Sequence, residues 1–179
     1  MTHPILETER LLMVLPHADH LPAYARYCAS ERSVFVGGPF DPVKAFEKLC
    51  AMSGHWAMRG FGRFVIVQKA TGQPIGHVGA LQLDPAELPE MTWTIWEGAF
   101  ESKGYAFEAA RAYLSQASDA LGTQGMVARI NKDNSRSLRL AERIGAVRDD
   151  AAEPPTWMPE AVTYLVKQYR KADGQSSPL

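Results

Sequence analysis

The residues best suited to chemistry fall in two short segments. The first is Glu101-Ser102-Lys103-Gly104-Tyr105-Ala106, which joins a run of β-branched and aromatic residues, Trp93-Thr94-Ile95-Trp96, to an alanine-rich stretch with helical spacing. A helix start leaves its first N–H groups without internal partners and carries partial positive charge. Small Ser102, permissive Gly104 and basic Lys103 at such a start make an anion site. The second segment is Asn134-Ser135-Arg136-Ser137, a capping-rich turn ahead of Leu138, Leu140, Ala141 and Ile144. Asn134 and Ser135 are both good N-caps, so one of them is accounted for by capping alone.

The surrounding chain supplies the elements that position these segments. Residues 10–15 read as a first strand, stopped by Pro16, and His17–Ala29 as a helix with Leu21, Tyr24, Ala25 and Cys28 on one face. Asp41-Pro42 predicts a helix start, and that helix runs to about Arg59 before Gly60 and Gly62. Residues 64–67 and 75–83 form a hairpin, with Gly76 and Gly79 as sites of bulging or close packing. Residues 90–96 form a third strand of this antiparallel set. A helix from Gly104 to Gly122 follows, then a strand over 126–130, the helix after Ser135, a short strand over 146–148 and a last strand over 161–169.

Composition narrows the function classes. The chain has 179 residues, 46% of them apolar, and a formal net charge of −1, so nucleic acid and membrane are not expected partners. Residues 1–170 are expected to form one domain and 171–179 a flexible tail. The N-terminal residues show no signal-peptide pattern, which leads to a cytoplasmic expectation. Cys28 and Cys50 are expected to be buried thiols, and the His17/His20 spacing lacks a third ligand, so no metal is expected. No nucleotide-binding glycine motif is present.

Taken together, the element order and motifs resemble the GNAT superfamily of acyl-CoA-dependent N-acetyltransferases, over about residues 5–169. The opening Thr8-Glu9-Arg10-Leu11 is similar to that of the RimJ/RimL-like subgroup. The resemblance implies an α/β (α+β) GNAT fold: a mostly antiparallel mixed sheet of about seven strands with about four helices on both faces. It implies acetyl-CoA as cosubstrate, with Ser102, Lys103, Gly104, Tyr105 and Ala106 at the pyrophosphate and the main chain of Ile95 and Trp96 along the pantetheine arm. The third strand would be splayed from its neighbour after Met126 to free that main chain. Asn134 would bind the pantetheine, and Ser137 would lie near the sulfur. Glu101 departs from the family pattern, which has a basic or amide residue there, and its side chain is expected to point away from phosphate.

The implied reaction is direct attack of a neutral amine on the acetyl thioester. Deprotonating a lysine-like amine of pKa ~10.4 at pH 7 costs roughly 4.6 kcal/mol, against about 1.4 for an α-amine near 8. The leaving thiolate needs only a hydrogen-bond donor, for which Ser137 is the candidate. A backbone N–H near Trp96 is the candidate for polarising the carbonyl. Glu90, ahead of Glu97, is the candidate base, although both also read as solvated strand-end acids. The acceptor is a small-molecule amine or a protein N-terminus, with Phe40, Trp56, Trp157 and Met158 as pocket walls. A homodimer is compatible with the family. The alternative is a protein that keeps the acyl-CoA cleft without turnover.

Overall fold

In the computed structural model, residues 6–121 and 125–166 are described. Eight strands form one sheet: β1 (Leu6–Glu7), β2 (Leu11–Val14), β3 (Arg63–Gln68), β4 (Pro74–Leu81), β5 (Glu90–Ile95), β6 (Met126–Asn131), β7 (Val147–Arg148) and β8 (Ala161–Val166). Their spatial order is β1-β2-β3-β4-β5-β6-β8-β7. Every pairing is antiparallel except β5 with β6. The strand beyond the expected seven is β1, two residues that fold back on β2 around Thr8, too short to show a period of its own. The expected helix end at Gly122, the last strand beyond Val166 and the 171–179 tail lie outside the described residues.

Four α-helices lie among the described residues: α1 (Leu21–Cys28), α2 (Pro42–Arg59), α3 (Tyr105–Leu121) and α4 (Ser135–Arg143). Asp41 caps α2 by accepting from the Lys44 N–H at 2.7 Å, and Gly60, at φ 74°, ends it. α1 starts later than its periodicity predicts. The His17 N–H donates to His20 Nδ1 at 3.0 Å while His17 Nδ1 accepts from the Asp19 N–H at 3.3 Å, and this reciprocal cap holds a 3₁₀ turn over Ala18–His20. That capping explains the histidine spacing, and no cluster of metal-ligating residues occurs among the described residues.

Side-chain alternation sorts the sheet into two faces. Phe64, Ile66, Met91 and Met126 pack with Ala109, Tyr113 and Leu114 of α3 and Ala141 of α4. On the other face, Val65 and Trp96 pack with Tyr24 and Cys28 of α1 and Leu49 and Met52 of α2. Fully buried side chains such as Leu114 and Met52 each stabilise the fold by roughly 1.5–3 kcal/mol. The two cysteines differ from expectation: Cys28 is buried, but Cys50 is exposed on α2. Both hairpin glycines are packing sites. A Cβ on Gly76 would lie 2.3 Å from Thr94 O, and one on Gly79 2.4 Å from Gly62 O.

Candidate functional site

The site is organised by a gap in the sheet. β5 and β6 are paired only at Glu90↔Val127, where the Val127 N–H donates to Pro89 O at 2.9 Å. On its other edge β5 runs the whole ladder with β4, from Leu81↔Glu90 to Gly76↔Ile95. The Trp96 N–H continues that ladder, donating to Ile75 O at 2.8 Å. Backbone groups of successive residues point to opposite edges, so the main chain of Trp93 and Ile95 faces the gap. The Trp96 N–H, expected from sequence to be a free donor, is instead committed to β4. Two carbonyls at this end are also occupied: Arg32 donates from Nη2 to Ile95 O at 3.2 Å and from Nε to Trp96 O at 3.1 Å.

The loop ahead of α3 adjoins this gap. Ser102 has φ 59° and Gly104 φ 81°, a left-handed geometry that lets successive N–H groups converge on one point. Within α3 the first closing bond runs from the Glu108 N–H to Gly104 O at 3.0 Å, which leaves the N–H groups of Tyr105 to Phe107 ahead of the helical ladder. Lys103 is exposed. The Tyr105 ring is buried and its hydroxyl accepts from Gln68 Nε2 at 2.7 Å, so its side chain is committed to packing.

Arg10 holds this loop in place. Its Nη1 donates to Lys103 O at 3.0 Å, its Nε to Glu108 at 2.7 Å, and its guanidinium lies 4.5 Å above the Tyr105 ring centroid. Thr8 Oγ1 donates to the same Glu108 carboxylate at 2.6 Å. The Thr8-x-Arg10 opening and Glu108 therefore form one fastening, the physical content of a motif legible only as a pattern. Removing it with Arg10→Ala is expected to weaken acetyl-CoA binding about tenfold by calorimetry, through a loosened loop. It should also lower stability by about 1 kcal/mol, a modest figure because the pair is partly exposed.

The Glu101 side chain is engaged by two arginines. Its carboxylate bridges Arg32 and Arg136, pairing with both, so the acid that departs from the family pattern is neutralised. The bridge ties α4 and the loop ahead of α3 to the 3₁₀ turn Glu31–Val36 that follows α1. Neither arginine stands out in the sequence, since each lies 35 or more positions from Glu101.

Asn134 is the N-cap of α4: its side-chain oxygen accepts from the Ser137 N–H at 3.2 Å. Capping therefore accounts for Asn134 and leaves Ser135 in the helix. The same turn aims Ser137 at β5, where Ser137 Oγ accepts from Trp93 Nε1 at 3.3 Å. With its oxygen accepting, the Ser137 hydroxyl keeps its hydrogen free to donate.

The two candidate carboxylates separate clearly. Glu90 lies on the α1/α2 face, its side chain 14% exposed, and Arg129 Nη1 donates to it at 3.0 Å. Burial pushes its carboxyl above the usual range, and the Arg129 guanidinium opposes part of that shift. Glu97 is half-exposed and pairs with exposed Arg26 at 3.3 Å. Further along the same face, on β4 opposite Thr94, His77 accepts at Nδ1 from Trp96 Nε1 at 2.9 Å. Burial, then the charges of Arg63 and Lys48, hold His77 well below its usual pKa. A neutral imidazole accepting at Nδ1 carries its proton on Nε2, so His77 has no free lone pair with which to act as a base. Of the expected pocket walls, Trp56 instead packs 4.6 Å from the Phe64 ring and donates to Arg63 O, and Trp157 is 63% exposed.

Residues 10–147 match the model of the acetyltransferase (GNAT) domain. The chain belongs to the GNAT acetyltransferases. An acetyltransferase from Agrobacterium tumefaciens str. C58 is 34% identical, with 94% of this chain and 96% of that chain covered at TM-score 0.84. Two more distant crystal structures share the GNAT fold. The ribosomal-protein-S5-alanine acetyltransferase from Vibrio fischeri is 16% identical, with 92% and 97% covered at TM-score 0.70. The microcin C7 self-immunity acetyltransferase MccE, in complex with acetyl-CoA and AMP, is 13% identical, with 89% and 93% covered at TM-score 0.72. As a GNAT acetyltransferase the chain is an acyltransferase, and acetyl-CoA is the acyl donor of its family.

Proposed function

We propose that this enzyme transfers an acetyl group from acetyl-CoA to a primary amine by direct attack within a ternary complex. The observation that carries this reading is the opening of β5 from β6 immediately beside the left-handed Ser102–Gly104 loop. The loop suits a pyrophosphate, with the N–H groups of Ser102 to Ala106 as donors and Lys103 as a nearby charge. The β5 edge suits an extended amide chain, with the Trp93 main chain and the Ile95 N–H as partners in place of the expected Ile95 and Trp96.

In this assignment the Trp93 N–H, which faces the gap three positions from Glu90, polarises the acetyl carbonyl. Glu90, kept poorly solvated and shifted upward, takes the amine proton directly or through water. The free hydroxyl hydrogen of Ser137 supports the departing thiolate, and Asn134 acts by fixing Ser137 through the cap. Membership in the RimJ/RimL-like subgroup is proposed on the Thr8-x-Arg10-Leu11 fastening; among the described residues no helix is long and apolar enough to cross a membrane.

Ser137→Ala is expected to lower kcat about tenfold, the worth of one hydrogen bond, with acetyl-CoA affinity within twofold of wild type. Equal loss in both would reduce Ser137 to a capped helix residue. The function itself is tested by CoA thiol release from acetyl-CoA across a panel of amines. Tight acetyl-CoA binding without amine-dependent release from any of them would contradict it.

A further inference from the structure

The α1/α2 face of the sheet carries a cation that has no acid. On β3, Val65 and Val67 pack with α1 and α2 while Phe64 and Ile66 pack with α3, so alternation places Arg63 on the α1/α2 face. There it is opposite Gly79 of β4, which is in turn opposite Thr92 of β5. Glu90 and Arg129 share the face, because their neighbours Met91, Ala128 and Ile130 pack on the other. Arg63 is only partly exposed. Among the described residues its guanidinium makes no hydrogen bond and no ion pair, while Trp56 Nε1 donates to its backbone oxygen.

The surroundings sharpen the imbalance. Lys48 of α2 is also without an acid, its ammonium resting 4.3 Å from the Phe40 ring centroid. Burial lowers the Lys48 pKa, and the charge of Arg63 lowers it further. Among the described residues the carboxylate whose charge acts on Arg63 is Glu90, which is already paired with Arg129. A shielded guanidinium without an acid is unfavourable, and enzymes keep such groups where a ligand supplies the missing charge.

We propose that Arg63 receives a carboxylate on the acceptor, so that the amine acetylated is a small amino-acid-type molecule. This rests on the amine-acetylation reading above and names its substrate class. A planar guanidinium matches a carboxylate with two parallel N–H···O bonds. Arg63 lies two strand positions from β5, roughly 10 Å at the usual inter-strand spacing. The arginine side chain covers much of that span, and a compact amino acid covers the rest with its amine toward Glu90. Lys48 adds to the positive field without a second planar contact.

The test uses matched acceptors, each an amino acid and its own carboxamide, with CoA release measured for wild type, Arg63→Gln and Arg63→Lys. Wild type is expected to favour the acids by about 100-fold in kcat/KM, a preference that collapses to a few-fold in Arg63→Gln and is partly restored in Arg63→Lys. Equal use of acids and amides by wild type would overturn the proposal, as would a preference that survives Arg63→Gln or faster turnover of peptide N-termini lacking a nearby acid. If no amine yields CoA, the transfer reading fails separately. In that case calorimetric titration of wild type with the same pairs decides the Arg63 site, since tighter binding of acid than amide supports it and equal binding refutes it.

Discussion

Gly104→Val is expected to weaken acetyl-CoA binding by 30-fold or more, a loss of about 2 kcal/mol. Gly104 sits at φ 81°, and its missing Cβ lies 3.5 Å from Arg10 Nη2. A β-branched residue in that left-handed geometry costs roughly 1–2 kcal/mol. The backbone relieves this strain by rotating, which turns the neighbouring N–H groups away from their common point. Gly72→Val serves as the control, because Gly72, at φ 69°, carries similar strain in the β3–β4 turn with open space around it. Both variants should lose a few degrees of Tm, but only Gly104→Val should lose affinity in calorimetry. Unchanged affinity in Gly104→Val would remove the phosphate from this loop.

Glu90→Gln should lower kcat about 100-fold, the lower range for losing a general base, and the loss should be larger for lysine-like amines than for α-amines. The pH profile carries the sign. A base must be unprotonated, so wild-type kcat/KM should fall as pH drops through the raised Glu90 pKa, and the variant should lack that limb. Stability moves differently. Because the folded pKa is raised, Glu90 stabilises the fold most below its unfolded pKa, and that contribution is lost as pH rises through the folded value. At neutral pH the substitution removes the cost of a buried charge and weakens the Arg129 pair, so Tm should shift by only a few degrees. A variant that retains full kcat would exclude Glu90 as the base.

Local patterns were readable where a residue's role depends on near neighbours. Asp41-Pro42 and Gly60 bound α2 as expected, and Gly104 with the alanine-rich run placed α3. The divergence of β5 from β6 came from family resemblance rather than from the residues, because the pairing of distant strands leaves no mark in local spacing. The same distance hides the Arg10–Glu108 fastening, the Arg32–Glu101–Arg136 bridge and the Glu90–Arg129 pair, which join residues 35 to 98 positions apart. Glu101, which looked out of place beside an anion site, becomes intelligible only with both arginines present. Arg63 opens a strand as an ordinary surface arginine would, and its isolation from acids emerges only when α1 and α2 cover that face.

Direct transfer at this cleft is read from initial rates of CoA release with acetyl-CoA and an accepted amine both varied. A ternary complex gives intersecting double-reciprocal lines and no CoA release before amine is added. Parallel lines, or a stoichiometric burst of CoA without amine, would show an acyl-enzyme and contradict it.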